Sequence, residues 1–268
     1  MAEVLNEIPW FDDLLIFVLG ALLGSFANVL IYRVPRNEEF VKEPSHCTKC
    51  GKPIRWYHNI PILAWFILRG KCASCGERYS FRYPLVEMIM AGLFLAVFMY
   101  VGPSWTVFEY LIFTFFLVVV SFIDFDHMIL PDIFTLSGIV VGLIGAAINP
   151  EREFLSALYG VLLGGGFLWA IAHIYLAFRK EEGMGGGDIK LLAWIGAVLG
   201  WKAIPFVILG SSIVGSVVGL LVSFGSKNGL KTVIPFGPYL ALAAIVYILG
   251  GQVLGEWYIS LFFPTQVP

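Results

Sequence analysis

Asp124, in Ser121-Phe122-Ile123-Asp124-Phe125-Asp126-His127, and Asp188, in Gly183-Met184-Gly185-Gly186-Gly187-Asp188, each stand where a long apolar run meets polar sequence. An ionisable side chain at a membrane boundary is costly unless it is solvated, paired or functional. Two carboxylates around one water can hydrolyse an amide. The ionised one takes a proton from the water, and the protonated one donates to the carbonyl oxygen. Close like charges titrate as a pair, so a single shared proton supplies both forms. The chemistry open to these residues is that of an aspartic protease embedded in a bilayer.

Other carboxylates lie nearby. Asp124 and Asp126 are two positions apart, about 200° around a helix, so both cannot face one cavity. Asp124 ends the apolar run, Asp126 lies closer to the loop, and Asp132 follows Pro131, where it is placed to cap the next helix. Asp188 has its own plain reading, as the N-cap of a helix over Ile189–Gly200. Taken alone, that reading prevails; taken with Asp124 and the topology, catalysis does. Gly185, Gly186 and Gly187 exceed what a cap needs, because they remove side chains where a substrate backbone could approach. Pro235-Phe236-Gly237-Pro238 opens the last long apolar run, either as a rigid turn or as an unwound helix start that bares backbone groups beside the aspartates. Gly185, Gly186, Gly187, Pro235 and Gly237 are therefore the candidate substrate-access residues.

A second constellation is Cys47-Thr48-Lys49-Cys50 and Cys72-Ala73-Ser74-Cys75, two C-x2-C pairs with 21 residues between them. This is the spacing of a four-thiolate zinc site. Gly51 and Gly76 follow the pairs, where the tight turn calls for positive φ. Four thiolates fill a tetrahedron and leave no open position, so the metal is structural, stapling a loop too small to build its own core. His46 and His58 are then bystanders. Two disulfides or four unrelated thiols are the alternatives, and a cytoplasmic location argues against disulfides.

These residues must be positioned by membrane helices. The chain of 268 residues is 59% hydrophobic and 13% charged, with mean hydropathy +0.84; a soluble domain carries about 25% charged residues. Apolar runs of spanning length predict an all-α polytopic fold of about eight transmembrane helices. These lie near Leu14–Tyr32, Leu85–Val101, Val107–Ile123, Phe134–Ile148, Leu155–Phe178, Ile189–Gly200, Ala203–Phe224 and Ile234–Leu249, with Val253–Phe263 as an interfacial tail. Loops alternate between two sides. The set that contains Arg33–Tyr83, Asp124–Ile133, Arg179–Asp188 and Gly225–Val233, with Lys190 at its margin, holds 15 of the 17 Lys and Arg residues; only Arg152 and Lys202 lie in the other. The positive-inside rule places the first set, with Asp124 and Asp188, in the cytoplasm and both termini outside. The acidic start, Met1–Asp13, has no Lys or Arg and predicts neither a signal peptide nor a transit peptide.

The expected organisation is a first transmembrane segment over 1–32, a cytoplasmic zinc-binding loop over 33–83, and a membrane peptidase domain over 84–268. Within the loop, Ile62–Phe66 is either an interfacial segment or packing for the zinc site. The G-x-x-x-G pairs at Gly20/Gly24, Gly138/Gly142, Gly160/Gly164, Gly196/Gly200 and Gly215/Gly219 are read as close helix contacts, and His173 as a polar packing contact.

These residues together resemble the bacterial type IV prepilin peptidases, over nearly the whole chain. Gly24-Ser25-Phe26-Ala27-Asn28-Val29-Leu30-Ile31-Tyr32-Arg33-Val34-Pro35 is similar to the family's exit from the first helix, with Ala27 where a bulkier apolar residue is usual. The paired C-x2-C loop, Asn59-Ile60-Pro61 and Arg82-Tyr83-Pro84-Leu85-Val86-Glu87 follow in family order. Ile123-Asp124, Leu130-Pro131-Asp132, Gly183–Asp188 and Ile234-Pro235-Phe236-Gly237-Pro238-Tyr239 complete it. The resemblance implies that Asp124 and Asp188 are the catalytic pair. It implies substrates that are prepilins and pseudopilins of type II secretion, with a short basic leader removed after a glycine at the cytoplasmic face of the bacterial inner membrane. It also implies methylation of the new N-terminus with S-adenosylmethionine as donor, with the zinc loop a candidate for part of that site.

Three other classes are compatible with parts of the pattern. A transporter could use the two aspartates for ion coupling, although it should show inverted repeats. A metalloprotease could ligate metal through Asp124, His127 and Asp188, although H-E-x-x-H is missing from the sequence. A zinc-loop membrane scaffold would need neither aspartate. Lipid is the surrounding partner, and no feature points to nucleic acid.

Overall fold

The apolar runs become helices where the sequence places them. The computed structural model describes residues 10–39, 45–47, 49–180, 185–225 and 234–254. Its helices are α1 (Phe11–Arg33), α2 (Leu63–Ile67), α3 (Arg82–Val101), α4 (Trp105–His127), α5 (Asp132–Ile148), α6 (Phe154–Arg179), α7 (Gly186–Leu199), α8 (Ala203–Gly225) and α9 (Gly237–Val246), the last loosening into a wider turn over Tyr247–Gly251. The first nine residues, where no signal peptide is expected, and most of the Val253–Phe263 tail lie outside the described residues.

All eight long helices expected from the sequence are present. Six are long and apolar enough to cross a membrane: α1 with the turn after it, α3, α4, α6, α8, and α9 extended to Leu254. The other two, α5 with 17 residues and α7 with 14, are shorter than the roughly 20 residues that a bilayer core asks for. Of the eight expected spans, six thus have the length and apolarity to cross a membrane, and two are shorter apolar helices.

The chain forms two compact units, Met1–Gly102 and Pro103–Pro268. In the first, α1 and α3 meet where side chains are missing. A Cβ on Gly20 would stand 2.8 Å from the Ala91 Cα, and one on Gly24 would stand 2.7 Å from the Glu87 Cα. The loop between these helices is built on two similar knuckles, each closed by an isolated bridge, His46 with Pro53 and Lys71 with Arg78. Short α2 lies against the second knuckle on one side only. The Trp65 ring covers Gly70, its Nε1–H donates to the Tyr79 carbonyl at 3.4 Å, and its edge meets Phe81. Leu63, Phe66 and Ile67 on the other side are exposed. The two readings of this segment therefore divide between its faces: the tryptophan packs on the second knuckle, and the opposite face is exposed.

In the second unit α7 is the buried centre, with every residue from Leu191 to Val198 buried. A helix that is apolar all round requires neighbours on all sides, and α5, α6, α8 and α9 supply them. The tightest crossing is between α6 and α7, where Cβ atoms built on Gly160 and Gly196 would stand 2.2 and 2.1 Å from one another's carbonyl oxygens. His173 makes its contacts within its own helix, on Trp169, and is exposed.

The C-terminal end of α7 is held by Arg152. Its Nη2 donates to the Ala197 carbonyl at 2.6 Å, and its Nη1 pairs with the Glu109 carboxylate of α4. Asn149 donates to the same carboxylate at 3.0 Å and to the Thr106 hydroxyl at 3.1 Å. A cation at a helix C-terminus is favourable, and removing one partner of a largely buried pair leaves a stranded charge. Arg152→Ala should therefore cost about 3 kcal/mol of stability, measured as a drop in thermal unfolding temperature in detergent.

Candidate active site and metal centre

Asp124 sits in the last turn of α4. That helix ends one turn later at Met128, which takes φ +53° and donates its N–H to the Asp124 carbonyl at 2.9 Å. The neighbouring carboxylates differ in direction. Asp124 is buried at 5% exposure, whereas Asp126 and His127 face outward. The Gly237 N–H donates to Asp124 Oδ2 at 3.0 Å. Gly237 is the first residue of α9, so the positive end of that helix faces the carboxylate. Pro238, in the first turn of α9, forfeits no helix bond there. The proline-flanked turn thus does bring a backbone donor to the aspartate.

Leu130 joins this corner to the start of α7. A Cβ on Gly237 would stand 2.7 Å from Asp124 Oδ2 and 3.1 Å from Leu130 Cδ2; one on Gly187 would stand 2.9 Å from Leu130 Cβ. Asp188 follows Gly187 directly, is half-buried, and lies within electrostatic reach of Asp124. The two carboxylates are therefore brought to one corner of the fold. Beside them Gly186 is open, with nothing near the place of its missing side chain. Gly183 and Met184 of the glycine motif lie outside the described residues.

Neither Asp188 nor Asp132 caps its helix. The helix carrying Asp188 begins at Gly186 with Gly185 as its N-cap, so Asp188 is the third residue of α7 and does not cap it. Asp132 is the first residue of α5, which has Pro131 as N-cap and no side-chain cap. The Asp132 carboxylate instead pairs with Lys190 Nζ at 2.6 Å, tying the first turns of α5 and α7 together. Among the described residues, no histidine joins Asp124 and Asp188 in a metal-binding group.

The Gly237 contact yields a direct prediction. Alanine there would press its methyl group on the Asp124 carboxylate and on Leu130. A displacement of about 1 Å can cost about 100-fold in rate. Gly237→Ala should lower turnover by about that factor, with little change in thermal stability, as read from initial rates and an unfolding curve.

The four cysteines form the second site. Their sulfurs all lie within 4.8 Å of one another, and the thiols of Cys47 and Cys75 are 3.9 Å apart. Zinc–sulfur bonds of about 2.3 Å in a tetrahedron place sulfurs about 3.8 Å apart, so the cluster fits zinc. The knuckles match in their backbone bonds. Gly51 and Gly76 donate to the Cys47 and Cys72 carbonyls at 2.8 and 2.9 Å, and Cys47 and Cys72 donate to the Lys52 and Glu77 carbonyls at 3.0 and 2.8 Å. The two glycines take φ +68° and +73°, the conformation expected of them. The Cys47 thiol is lowered to about 6, first by the backbone N–H of Cys50 and then by that of Lys49. Cys75 is raised to about 12; the Glu77 N–H favours its thiolate, but desolvation and the three neighbouring thiols outweigh it. His46 and His58 are outside the cluster.

Residue types did not single out Leu130, the Lys190 partner of Asp132, or Glu87. Glu87 is a carboxylate inside an apolar run, a signal visible in the sequence; it proves to be buried.

Comparison with known proteins agrees with this geometry. Residues 18–101 match the bacterial peptidase A24 N-terminal domain, and residues 111–220 match the type IV leader peptidase family. A prepilin leader peptidase/N-methyltransferase of Aeromonas hydrophila is 36% identical, over 98% of this chain and 99% of its own. The one from Pseudomonas aeruginosa is 36% identical, over 97% and 98%. That of Neisseria gonorrhoeae is 38% identical, over 84% and 86%. No solved structure matches the chain. With two carboxylates gathered at one corner, a zinc-type cysteine cluster, and full-length relatives above 35% identity, the chain belongs to the type IV prepilin leader peptidase/N-methyltransferase family of multi-pass bacterial membrane proteins.

Proposed function

We propose that this protein removes the short basic leader of type IV prepilins and type II secretion pseudopilins, cutting after a glycine, and then methylates the new N-terminus. The observation that carries the peptidase reading is the meeting of Asp124 and Asp188 across Leu130 and Gly237. Asp124 and Asp188 are the catalytic pair. Asp124 already accepts a backbone N–H, which suits the ionised carboxylate that takes a proton from water; Asp188 is the protonated partner that donates to the scissile carbonyl. Gly185, Gly186, Gly187, Pro235 and Gly237 form the approach for an extended peptide backbone. A prepilin is an apolar helix with a charged leader, so it enters from lipid and unwinds at the cut.

The charge distribution supports a place in the bacterial inner membrane with the active corner at the cytoplasmic face. Zinc in the Cys47, Cys50, Cys72 and Cys75 cluster holds the 33–83 loop in shape, and the membrane peptidase follows within 84–268. Methylation draws its methyl group from S-adenosylmethionine.

The test is incubation of the purified protein with a prepilin in detergent or lipid, with and without S-adenosylmethionine, with products read by intact mass. Loss of the leader in both samples, with an added methyl mass only where the donor is present, is the expected result. An uncut precursor with an active-site geometry intact would remove the peptidase reading.

A further inference from the structure

The Met1–Gly102 unit contains a cavity of about 620 Å³ between α1, α2, α3 and the two knuckles. This lies within the range of about 300–1,000 Å³ typical of small-molecule sites. Its lining is chemically mixed, with Glu77 and Glu87 the two carboxylates among its residues. Leu22, Phe26 and Val29 of the α1 span line one part, and Lys52, Arg55 and Arg78 of the knuckles line another. A ligand matched to it is amphipathic, with an anionic group for the basic part and flat or apolar surface for the rest.

One carboxylate is built into this wall from the membrane helices. Glu87 lies in α3, is 8% exposed, and lines the cavity. Its Oε2 accepts the Ile62 N–H at 2.6 Å, and it also bonds with the Ser25 side chain. Ile62 is held at φ +64°, a costly conformation for a β-branched residue that persists only where the surroundings impose it. The glutamate is thus fixed from two elements, beside a loop under strain. Ionisable residues inside spanning helices are kept for function more often than for packing.

We propose that this cavity binds S-adenosylmethionine and that Glu87 receives the amine to be methylated, an inference that rests on the methylation reading above. The donor's amino-acid carboxylate suits the basic knuckle residues, and its adenosine suits the less polar wall. The amine belongs to an apolar helix, so it approaches from the α1 and α3 side, where Glu87 stands. In the transfer, the amine lone pair forms the new bond to the methyl carbon. The carbon–sulfur bond breaks with its electron pair returning to sulfur, and one proton leaves the nitrogen for the Glu87 carboxylate.

Two kinds of variant separate donor binding from transfer. Val29→Trp and, from the knuckle side, Ala73→Trp fill the cavity from opposite walls. Each should weaken equilibrium binding of radiolabelled S-adenosylmethionine at least about tenfold, while leader removal by the same preparation continues. Glu87→Gln preserves an acceptor for the Ile62 N–H. It should keep donor binding within about twofold of the parent, lower methyl transfer at least about 100-fold, and flatten the pH profile of transfer; Glu87→Asp should restore part of it. Donor binding unchanged in both cavity-filling variants would place the donor elsewhere, and methyl transfer at the parental rate in Glu87→Gln would remove the glutamate. A parent protein that cleaves prepilin but neither binds donor nor transfers methyl would instead overturn the methylation reading.

Discussion

Asp188→Asn should abolish leader removal, with a loss of at least about 1,000-fold in turnover, and Asp124→Asn should do the same. Asparagine keeps the size of the side chain, and at position 124 its carbonyl can still accept the Gly237 N–H. Folding is therefore preserved, and the loss is chemical. Two groups that share one proton act as a unit, so either change alone should reach the background of the double variant. Asparagine cannot ionise, so the cost of burying a second negative charge beside the first never arises, and the thermal unfolding temperature should hold or rise. Intact-mass kinetics of both single variants and the double variant, beside unfolding curves, read all of these at once. Residual cleavage that falls stepwise from single to double variant would break the shared-proton mechanism, and parental cleavage in either single variant would remove that aspartate from it.

The second large effect concerns the cysteine cluster. Structural zinc contributes about 10–16 kcal/mol of apparent binding energy in small zinc-bound modules, and the knuckles have few other internal contacts of comparable strength. Cys72→Ser should lower bound zinc from about one per chain to a small fraction and lower methyl transfer at least about tenfold. Leader removal, whose aspartates lie in the other unit, should fall less. The pH dependence has a definite sign. Zinc takes thiolates, Cys47 reaches that form near pH 6, and Cys75 is still protonated at neutral pH. Loading zinc at pH 7 therefore expels protons, and zinc affinity should rise as pH rises through neutrality. Calorimetry in buffers of different ionisation enthalpy measures the protons released. Binding that is independent of pH, or zinc retained in full by Cys72→Ser, would refute a four-thiolate site.

Much of this was legible because membrane helices announce themselves through composition. The two aspartates stood out as charges at the ends of apolar runs, and the cysteines through spacing alone. Direction was harder. The period of a helix shows that Asp124 and Asp126 point apart, but only packing decides which one faces inward. The start of α7 was misplaced because glycine is a poor helix former in isolation. Inside the fold, the buried face of α7 and the contact of Leu130 with Gly187 outweigh that intrinsic cost, and the helix extends back to Gly186. Asp132 looked like a cap because propensity is local, whereas its Lys190 partner is 58 residues away. Nothing in the local sequence indicated that the Gly237 N–H would meet Asp124, since that contact joins residues 113 positions apart.

The crossing of Gly160 and Gly196 bears on how this protein can change over time. At each position, the atom blocking a larger residue is the backbone of the other, so no substitution at one can make room for the other. A side chain at either position has to push the two backbones apart, whichever glycine is replaced first. Loops and lipid-facing positions carry no such constraint. Any lineage that retains the crossing must inherit the two glycines as a single character.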